Sequence, residues 1–312
     1  MFRAINRCLI CTGQKFTPWA RVSYSHYLTQ RPDIPRSGDL AATDKRIASY
    51  VFTLVQCRRC NFVFTTPQLS PSALTRLYQD SPSYFNRYQD SSRIKSQQQL
   101  IHSHKLEVRQ LRAITTGKII LDVGCGGGYF LKCLPDSWKK FGVEVDPYAA
   151  KFAAKLLHKK AKIYNCTLAQ ASLLPESFDT IILRGTLEHL HYPKKILNQL
   201  HRLLKPNGTL AIIATPNIAS ICASLYRGNF RFVDPLHHIW YFSPSTLTSL
   251  LLQTKFTVVD IKYNYFNTAY FHLSQLWEIT RDWLTFLLTG RRPTHTSPPF
   301  YGNLMDVYAR KN

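Results

Sequence analysis

The stretch Ile119-Ile120-Leu121-Asp122-Val123-Gly124-Cys125-Gly126-Gly127-Gly128-Tyr129 decides how this chain is read. A short apolar run meets an acid, then a glycine cluster, then Tyr129-Phe130-Leu131: a buried strand, a tight loop and the start of a helix. Glycine permits positive φ and leaves no side chain between backbone and ligand, so a small molecule is expected across this loop.

Spacing and charge narrow its chemistry. A dinucleotide fingerprint asks for a third glycine three places after the second, and that place holds Tyr129. A pyrophosphate would also meet Asp122, the wrong sign for an anion. S-adenosylmethionine has no phosphate and carries a cationic amino group and a sulfonium, which suit an acid at the strand end. Further on, Phe141-Gly142-Val143-Glu144-Val145-Asp146 reads as a second strand ending in acids. A carboxylate there can take both ribose hydroxyls, a role assigned to Glu144, with Asp146 shaping the turn. The glycines alone fit an ordinary strand-to-helix turn equally well. The two acids at this separation favour cofactor binding.

With these residues the chain resembles the class I S-adenosylmethionine-dependent methyltransferases. Asp122–Gly128 resembles their first motif. Phe178-Asp179-Thr180-Ile181-Ile182-Leu183, followed by Leu187-Glu188-His189-Leu190, resembles the fourth strand and its active-site exit. Leu203-Leu204-Lys205-Pro206-Asn207-Gly208 resembles the turn before the fifth strand, with Asn207 where the family usually has glycine; asparagine can also turn left-handed. The resemblance implies that the Asp122–Gly128 loop, with Gly124, Gly126 and Gly128, cradles the methionine part. It also implies that backbone near Thr167 and Leu168 wraps the adenine.

From residue 118 strands and helices alternate, which predicts an α/β fold: a doubly wound, mostly parallel, seven-stranded Rossmann-like sheet with helices on both faces. Strands are predicted near 118–123, 140–145, 161–165, 178–184, 209–214, 256–262 and 304–310, and helices near 128–134, 147–158, 193–204 and 245–253. The ligand crevice is expected at the carboxyl ends of the strands.

The 312 residues can hold one large domain and a small one. Eight cysteines without a secretion signal argue for a reducing compartment, so paired cysteines suggest metal before disulfides. Cys8-Leu9-Ile10-Cys11 and Cys57-Arg58-Arg59-Cys60 each have the gap that aims two sulfurs at one ion, and together make a four-thiolate zinc site. Arg58 and Arg59 would help keep the thiolates ionised. Cys125, Cys133, Cys166 and Cys222 lack ligand spacing and are expected as buried fillers. Val55 to Phe64, then Pro67 and Leu77-Tyr78, resembles the metal-binding leader of a methyltransferase branch that includes sugar methyltransferases. Four thiolates leave no open position, so the zinc is expected to be structural.

The organisation expected is therefore a zinc-ribbon-like leader over 1–69, a helical lid or linker over 70–117, and the methyltransferase domain over 118–312. In the lid, Ser70-Pro71-Ser72 can start a helix, Tyr84, Phe85 and Tyr88 follow, and Ser92–Ile114 is a long helix with Ile94, Leu100, Ile101, Leu106, Val108 and Leu111 as its contacts.

An oxygen or acidic carbon acceptor needs a base. The candidates are His189, with Glu188 beside it, and His238 or His237. Each also reads as a plain loop residue. Asp234-Pro235 through Phe242-Ser243 resembles the substrate-side loop of the same branch, where one histidine precedes an aromatic cluster, and His238 is the better match. Thr215-Pro216-Asn217 resembles a substrate-edge turn.

Net charge is +22, from 40 basic and 18 acidic residues, which favours anionic partners. The lysines fall in short groups, so nucleic acid ranks behind a small molecule. In Phe271–Leu288, Leu273, Leu276, Trp277, Leu284, Leu287 and Leu288 share one helical face, while Glu278, Arg281 and Asp282 argue against a bilayer span. Packing on the domain or on another subunit is the expectation for this helix. Contact with an anionic membrane through 271–292 is the alternative.

By resemblance the acceptor is a sugar or glycan precursor. An RNA methyltransferase is the first alternative, although the Asn-Pro-Pro-Tyr and Asp-Pro-Pro-Tyr motifs of base-amine methylation are missing; an inactive zinc-dependent binding module is the second. No segment approaches the roughly eighteen apolar residues of a span, so a cytoplasmic, at most membrane-associated, location is expected.

Overall fold

The computed structural model describes residues 2–26, 50–74, 94–115, 117–266, 268 and 270–312. Leu77-Tyr78, Tyr84, Phe85, Tyr88 and Ser92 lie outside them, as do the side chains of Ile94 and Leu100. In chain order the elements are β1 (Phe2–Arg3), β2 (Phe16–Ser23), β3 (Val51–Cys57), β4 (Val63–Thr65), β5 (Gln68–Leu69), α1 (Ile94–Ile114), β6 (Ile119–Val123), α2 (Tyr129–Cys133) and β7 (Lys139–Glu144). Then follow α3 (Pro147–Leu157), β8 (Ala161–Asn165), β9 (Phe178–Arg184), α4 (Pro193–Leu203), β10 (Leu204–Pro216), α5 (Ile221–Tyr226), β11 (Trp240–Tyr241), α6 (Pro244–Gln253), β12 (Phe256–Lys262), α7 (Leu273–Thr289) and β13 (Leu304–Lys311).

The chain forms two compact units. The first gathers Met1–Leu77, Pro216–Leu247 and Tyr263–Met305; the second gathers Tyr78–Thr215, Thr248–Lys262 and Asp306–Asn312. Packing thus divides the chain along different lines from the three successive segments read from sequence.

The second unit carries the seven-stranded sheet, in the order β12-β13-β10-β9-β6-β7-β8. The pairs β10–β9, β9–β6, β6–β7 and β7–β8 are parallel, and β12–β13 is antiparallel. Strands covered on both faces read as continuous apolar runs, and Ile181, Ile182, Leu183 and Leu210–Ile213 are all fully buried. Val108 and Leu111 of α1 join the core with Phe130, Leu131, Leu134 and Trp138, as their spacing suggested. Asn207 adopts the left-handed turn expected of it, at φ 58°. After β6 the chain runs outward through β7 and β8, then returns to β9 on the other side of β6. This reversal opens a crevice at the carboxyl ends of β6 and β9.

A buried ion pair ties α1 to the sheet. Glu107 accepts two bonds from Arg184, Nε at 2.7 Å and Nη2 at 3.0 Å, and His104 lies 3.3 Å from Oε2. Burial alone would push the Glu107 carboxyl up, but the Arg184 charge and these hydrogen bonds hold it below its usual range.

The first unit is richer in strands than the leader motif announced. Its four-stranded antiparallel sheet runs β11-β4-β3-β2, and β1 pairs with β5. Trp240 and Tyr241 stand opposite Phe64 and Val63, so the aromatic stretch after His238 completes the leader's sheet. Phe62 stacks on Trp240 at 5.9 Å, and both are buried.

Helix α7 does not pack its apolar stripe on its own chain. Leu273, Trp277, Leu284, Leu287 and Leu288 face solvent, while Gln275, Ile279 and Asp282 face inward. The inward face is anchored by polar bonds: Tyr265 donates to Gln275 at 2.5 Å and Tyr226 to Asp282 at 2.5 Å. Among the described residues, no helix is long and apolar enough to cross a membrane.

Replacing Glu107 by Ala removes two charge-assisted hydrogen bonds and the buried carboxylate that faces Arg184. Urea denaturation is expected to show a loss of about 2–4 kcal/mol, and a loss below the error of the fit would show that the pair does not hold α1.

Candidate active site

At the end of β6, Asp122 is 1% exposed and its Oδ1 has no hydrogen-bond partner. Burial pushes its carboxyl up to about 7, with Arg184 opposing and Glu144 adding to the rise. The loop that follows is pinned to β7: the amides of Gly124 and Cys125 donate to the carbonyl of Val143 at 2.8 and 3.2 Å. Gly124 has φ 78°, and a Cβ there would meet Thr186 Oγ1 at 2.8 Å. At Gly128, φ 77°, a Cβ would press on Leu157 and Ala153 of α3. A side chain at either place would prise the loop from its neighbours. Gly126, at φ 51°, donates its amide to Glu144 Oε2 at 2.8 Å.

Glu144 closes the loop from the other side. Its Oε1 accepts the Asp146 amide at 2.9 Å, and burial raises its carboxyl against these amide bonds. An ionised carboxylate has about four acceptor positions, so capacity remains for a ligand. Asp146 caps α3 through Oδ1, accepting from Tyr148 and Ala149, while its buried Oδ2 has no partner. This is the turn-shaping role expected of it.

Thr167 is engaged locally: its amide and hydroxyl both donate to Gln170 Oε1, at 3.0 and 2.7 Å. Leu168 is buried, and its carbonyl accepts from Gln199 at 3.1 Å.

Glu188 and His189 occupy a helical turn, Leu187–His189, just past β9. Glu188 is 2% exposed and its Oε2 has no partner, and burial pushes the acid up to about 7. Thr215, at the matching end of β10, is buried, and its hydroxyl faces the Glu188 carboxyl and opposes that rise. Before it, Ala214 holds φ 56° with its amide on Asp306 at 2.7 Å, a strained geometry for a residue with a Cβ. The second unit therefore collects Asp122 and Glu188, each with a buried oxygen lacking a partner, together with Thr215, on the ends of three adjacent strands. Unpaired buried polar atoms in such a crevice mark a place for a ligand.

Sequence reading missed Arg184 and Glu107. Arg184 ends an apolar strand at the crevice side, and its charge acts on Asp122. A lone arginine closing the run Ile181-Ile182-Leu183 was the available signal.

His238 belongs to the first unit, where its Nδ1 lies 2.8 Å from the carbonyl of Phe232. His237 contacts Asp234 Oδ1 at 2.9 Å.

The four cysteines of the first unit converge. Cys8 and Cys60 lie 3.5 Å apart, as do Cys11 and Cys57, and all four sulfurs fall within 4.8 Å of one another. Two matching turns present them. The amides of Cys8 and Cys57 donate to Gly13 and Phe62, and their carbonyls accept from Thr12 and Asn61, at φ 60° and 59°. Tetrahedral zinc–sulfur bonds of about 2.3 Å place sulfurs about 3.8 Å apart, close to what is seen. Burial pushes the Cys8 thiol up to about 11 against amide bonds from Cys11 and Ile10. Arg59 reaches the carbonyl of Cys11 at 3.4 Å, and backbone amides supply the sulfur hydrogen bonds. Of the remaining cysteines, Cys125 and Cys222 are buried and Cys133 packs half-buried against the core, whereas Cys166 is half-exposed outside it.

A family model described as methyltransferase domain matches residues 96–261, more than half of the chain. The chain belongs to the methyltransferase domain family. It is similar to the tRNA U34 carboxymethyltransferase of Dichelobacter nodosus, 33% identical over 132 residues, covering 40% of this chain and 41% of that protein. It is also similar to the mitochondrial ubiquinone biosynthesis O-methyltransferase of Schizosaccharomyces pombe, 27% identical over 190 residues, covering 56% and 66%. The methyltransferase domain thus spans less than two thirds of the length of either relative. Among solved structures, a chain from the complex of the Haloferax volcanii Trm112 methyltransferase activator with a methyltransferase shares the fold. Its TM-score is 0.53 at 14% identity, covering 73% of this chain and 98% of that one.

The raised Asp122 carboxyl has a consequence for the unliganded protein. Between about pH 4 and about pH 7 the unfolded chain has lost this proton while the folded chain keeps it, so stability falls as pH rises through that window and levels off above it. Asp122→Asn is expected to remove this decline and to stabilise the unliganded protein by about 2 kcal/mol at pH 8. Guanidinium melts of both proteins at pH 5 and pH 8 measure it, and a variant less stable than the parent at pH 8 would contradict the assignment.

Proposed function

We propose that this chain is an S-adenosylmethionine-dependent methyltransferase whose acceptor is an oxygen nucleophile on a small molecule. One observation carries the reading: the orphaned, buried Asp122 oxygen beside a glycine loop that Glu144 closes from the opposite strand. These residues fit the cofactor. Asp122 faces a cationic amino group in place of water, Glu144 has acceptor capacity left for the ribose hydroxyls, and Gly124, Gly126 and Gly128 let the ligand approach the backbone. Asp146 holds the turn, and the segment at Thr167 and Leu168 borders the adenine.

When bound, the cofactor supplies a methyl group on a positively charged sulfur. An acceptor hydroxyl loses its proton as it is methylated, and a base on the protein would take that proton. Glu188 and His189 serve that step. Glu188 is buried with a free oxygen and titrates near neutrality, where a general base works best. His238 is the other candidate for the same proton. Alignment of the reactants supplies much of the remaining rate.

For the acceptor, the metal-binding leader supports a sugar or glycan precursor, while the names of the relatives point to ubiquinone biosynthesis and to tRNA. A hydroxyl acceptor is common to the sugar and O-methylation readings. Nucleic acid is the second reading, favoured by the net charge of +22. For the leader, we propose one structural zinc on Cys8, Cys11, Cys57 and Cys60.

A tritiated-methyl transfer screen against nucleotide sugars, quinol precursors and bulk tRNA tests the reaction. Label is expected in a small molecule, and transfer should drop about a hundred- to ten-thousandfold in the variant lacking the base, whether Glu188→Gln, His189→Ala or His238→Ala, with cofactor affinity kept. Label in tRNA would select the second reading, and no transfer together with no cofactor binding would reject both. Metal analysis should find about one zinc per chain, lost in Cys8→Ser/Cys57→Ser with a loss of folding cooperativity in the first unit. A zinc-free native protein would end that assignment.

A further inference from the structure

We propose that α7 seats this chain on an anionic lipid surface, with its leucine and tryptophan face at the boundary of headgroups and acyl chains. The face is large and uncovered: Leu288 is 84% exposed, Trp277 74%, Leu273 72%, Leu287 63% and Leu284 51%. At 100° per residue these five side chains fall within about 100° of arc, opposite the buried Gln275, Ile279 and Asp282. Because the inward face is already anchored by Tyr226 and Tyr265, the stripe has no part in holding the helix to its own unit.

The charges around the stripe select the partner. Both acids of the helix turn away from it. Asp282 accepts from Tyr226 and pairs with Arg281 and His295, each at 2.9 Å, and Glu278 lies 3.4 Å from His295. The exposed charges just past the Gly290 cap are the cations Arg291 and Arg292, and Arg281, held by Asp282, lies beside the stripe. Arg292 is held by the neutral carbonyls of Ser224 and Leu225, which leaves its charge in place. An apolar stripe rich in leucine and tryptophan with a basic border lies in a membrane interface, where both the apolar face and the border are satisfied. A second copy of the chain fits worse, since two such faces would bring arginine borders and +22 charges together. At 17 residues, about 25 Å, and with charges along it, the helix lies in the plane of the surface rather than across it.

The test is independent of the proposed catalysis. The full chain is floated with mixed phosphatidylglycerol–phosphatidylcholine vesicles and with phosphatidylcholine alone, at low and high salt. Flotation is expected with the anionic vesicles and should weaken severalfold in high salt. Leu284→Asp/Leu287→Asp should reduce the partition coefficient at least about tenfold, with circular dichroism unchanged. In the parent protein, brominated lipid should quench tryptophan fluorescence, a readout that needs no variant. The proposal is overturned if the parent stays at the bottom in low salt, if the double variant partitions as the parent does, or if neutral vesicles bind equally well. A concentration-dependent dimer that the double variant abolishes, without flotation, assigns the face to a second copy instead.

Discussion

A carboxylate kept out of water without a full set of partners is costly, and this chain maintains one at the end of its central strand. Asp122 sits there because β6 lies between β7 and β9, where the winding of the sheet reverses. The surrounding features depend on that placement. The glycine loop must fold tightly to leave space beside the acid, and Glu144 stabilises the fold of the loop by accepting the Gly126 amide. Arg184 offsets part of the charge at a distance, and Glu107 keeps Arg184 in place. The site is therefore pre-organised but electrostatically incomplete, which is the condition under which a cationic ligand gains most from binding.

The first unit solves a different problem. Its sheets are small, and its cysteine turns place four sulfurs close to one point. A metal would link two turns separated by the whole β2–β3 hairpin. The matching hydrogen bonds of the Cys8 and Cys57 turns show that each is built independently to aim sulfur inward.

Much of the second unit was legible in sequence. Its central strands β6, β9 and β10 hold apolar runs that stop at Gly124, Gly185 and Pro216, and the strands fall within a few residues of their expected places; β10 differs by starting earlier, with a register shift between Leu204 and Thr209. Asp122, the glycines and Glu144 were legible because few chemistries place acids on both sides of a glycine loop. What stayed hidden was set by long-range pairing. The Glu107–Arg184 bond joins residues 77 positions apart, and the pairing of Trp240 with Phe64 draws a late segment into the leader's sheet. For α7, periodicity found the stripe but left its cover open between the domain, another subunit and a membrane surface. The buried side is set by Tyr226 and Tyr265, partners that helical periodicity does not reveal.

The central claim is that the crevice selects a cationic methyl donor over a phosphorylated dinucleotide. Calorimetric titration of the purified chain with S-adenosylmethionine and, separately, with NADH at neutral pH tests it directly. The expected result is saturable binding of S-adenosylmethionine and no measurable heat with NADH. Tight NADH binding that S-adenosylmethionine fails to displace would contradict it.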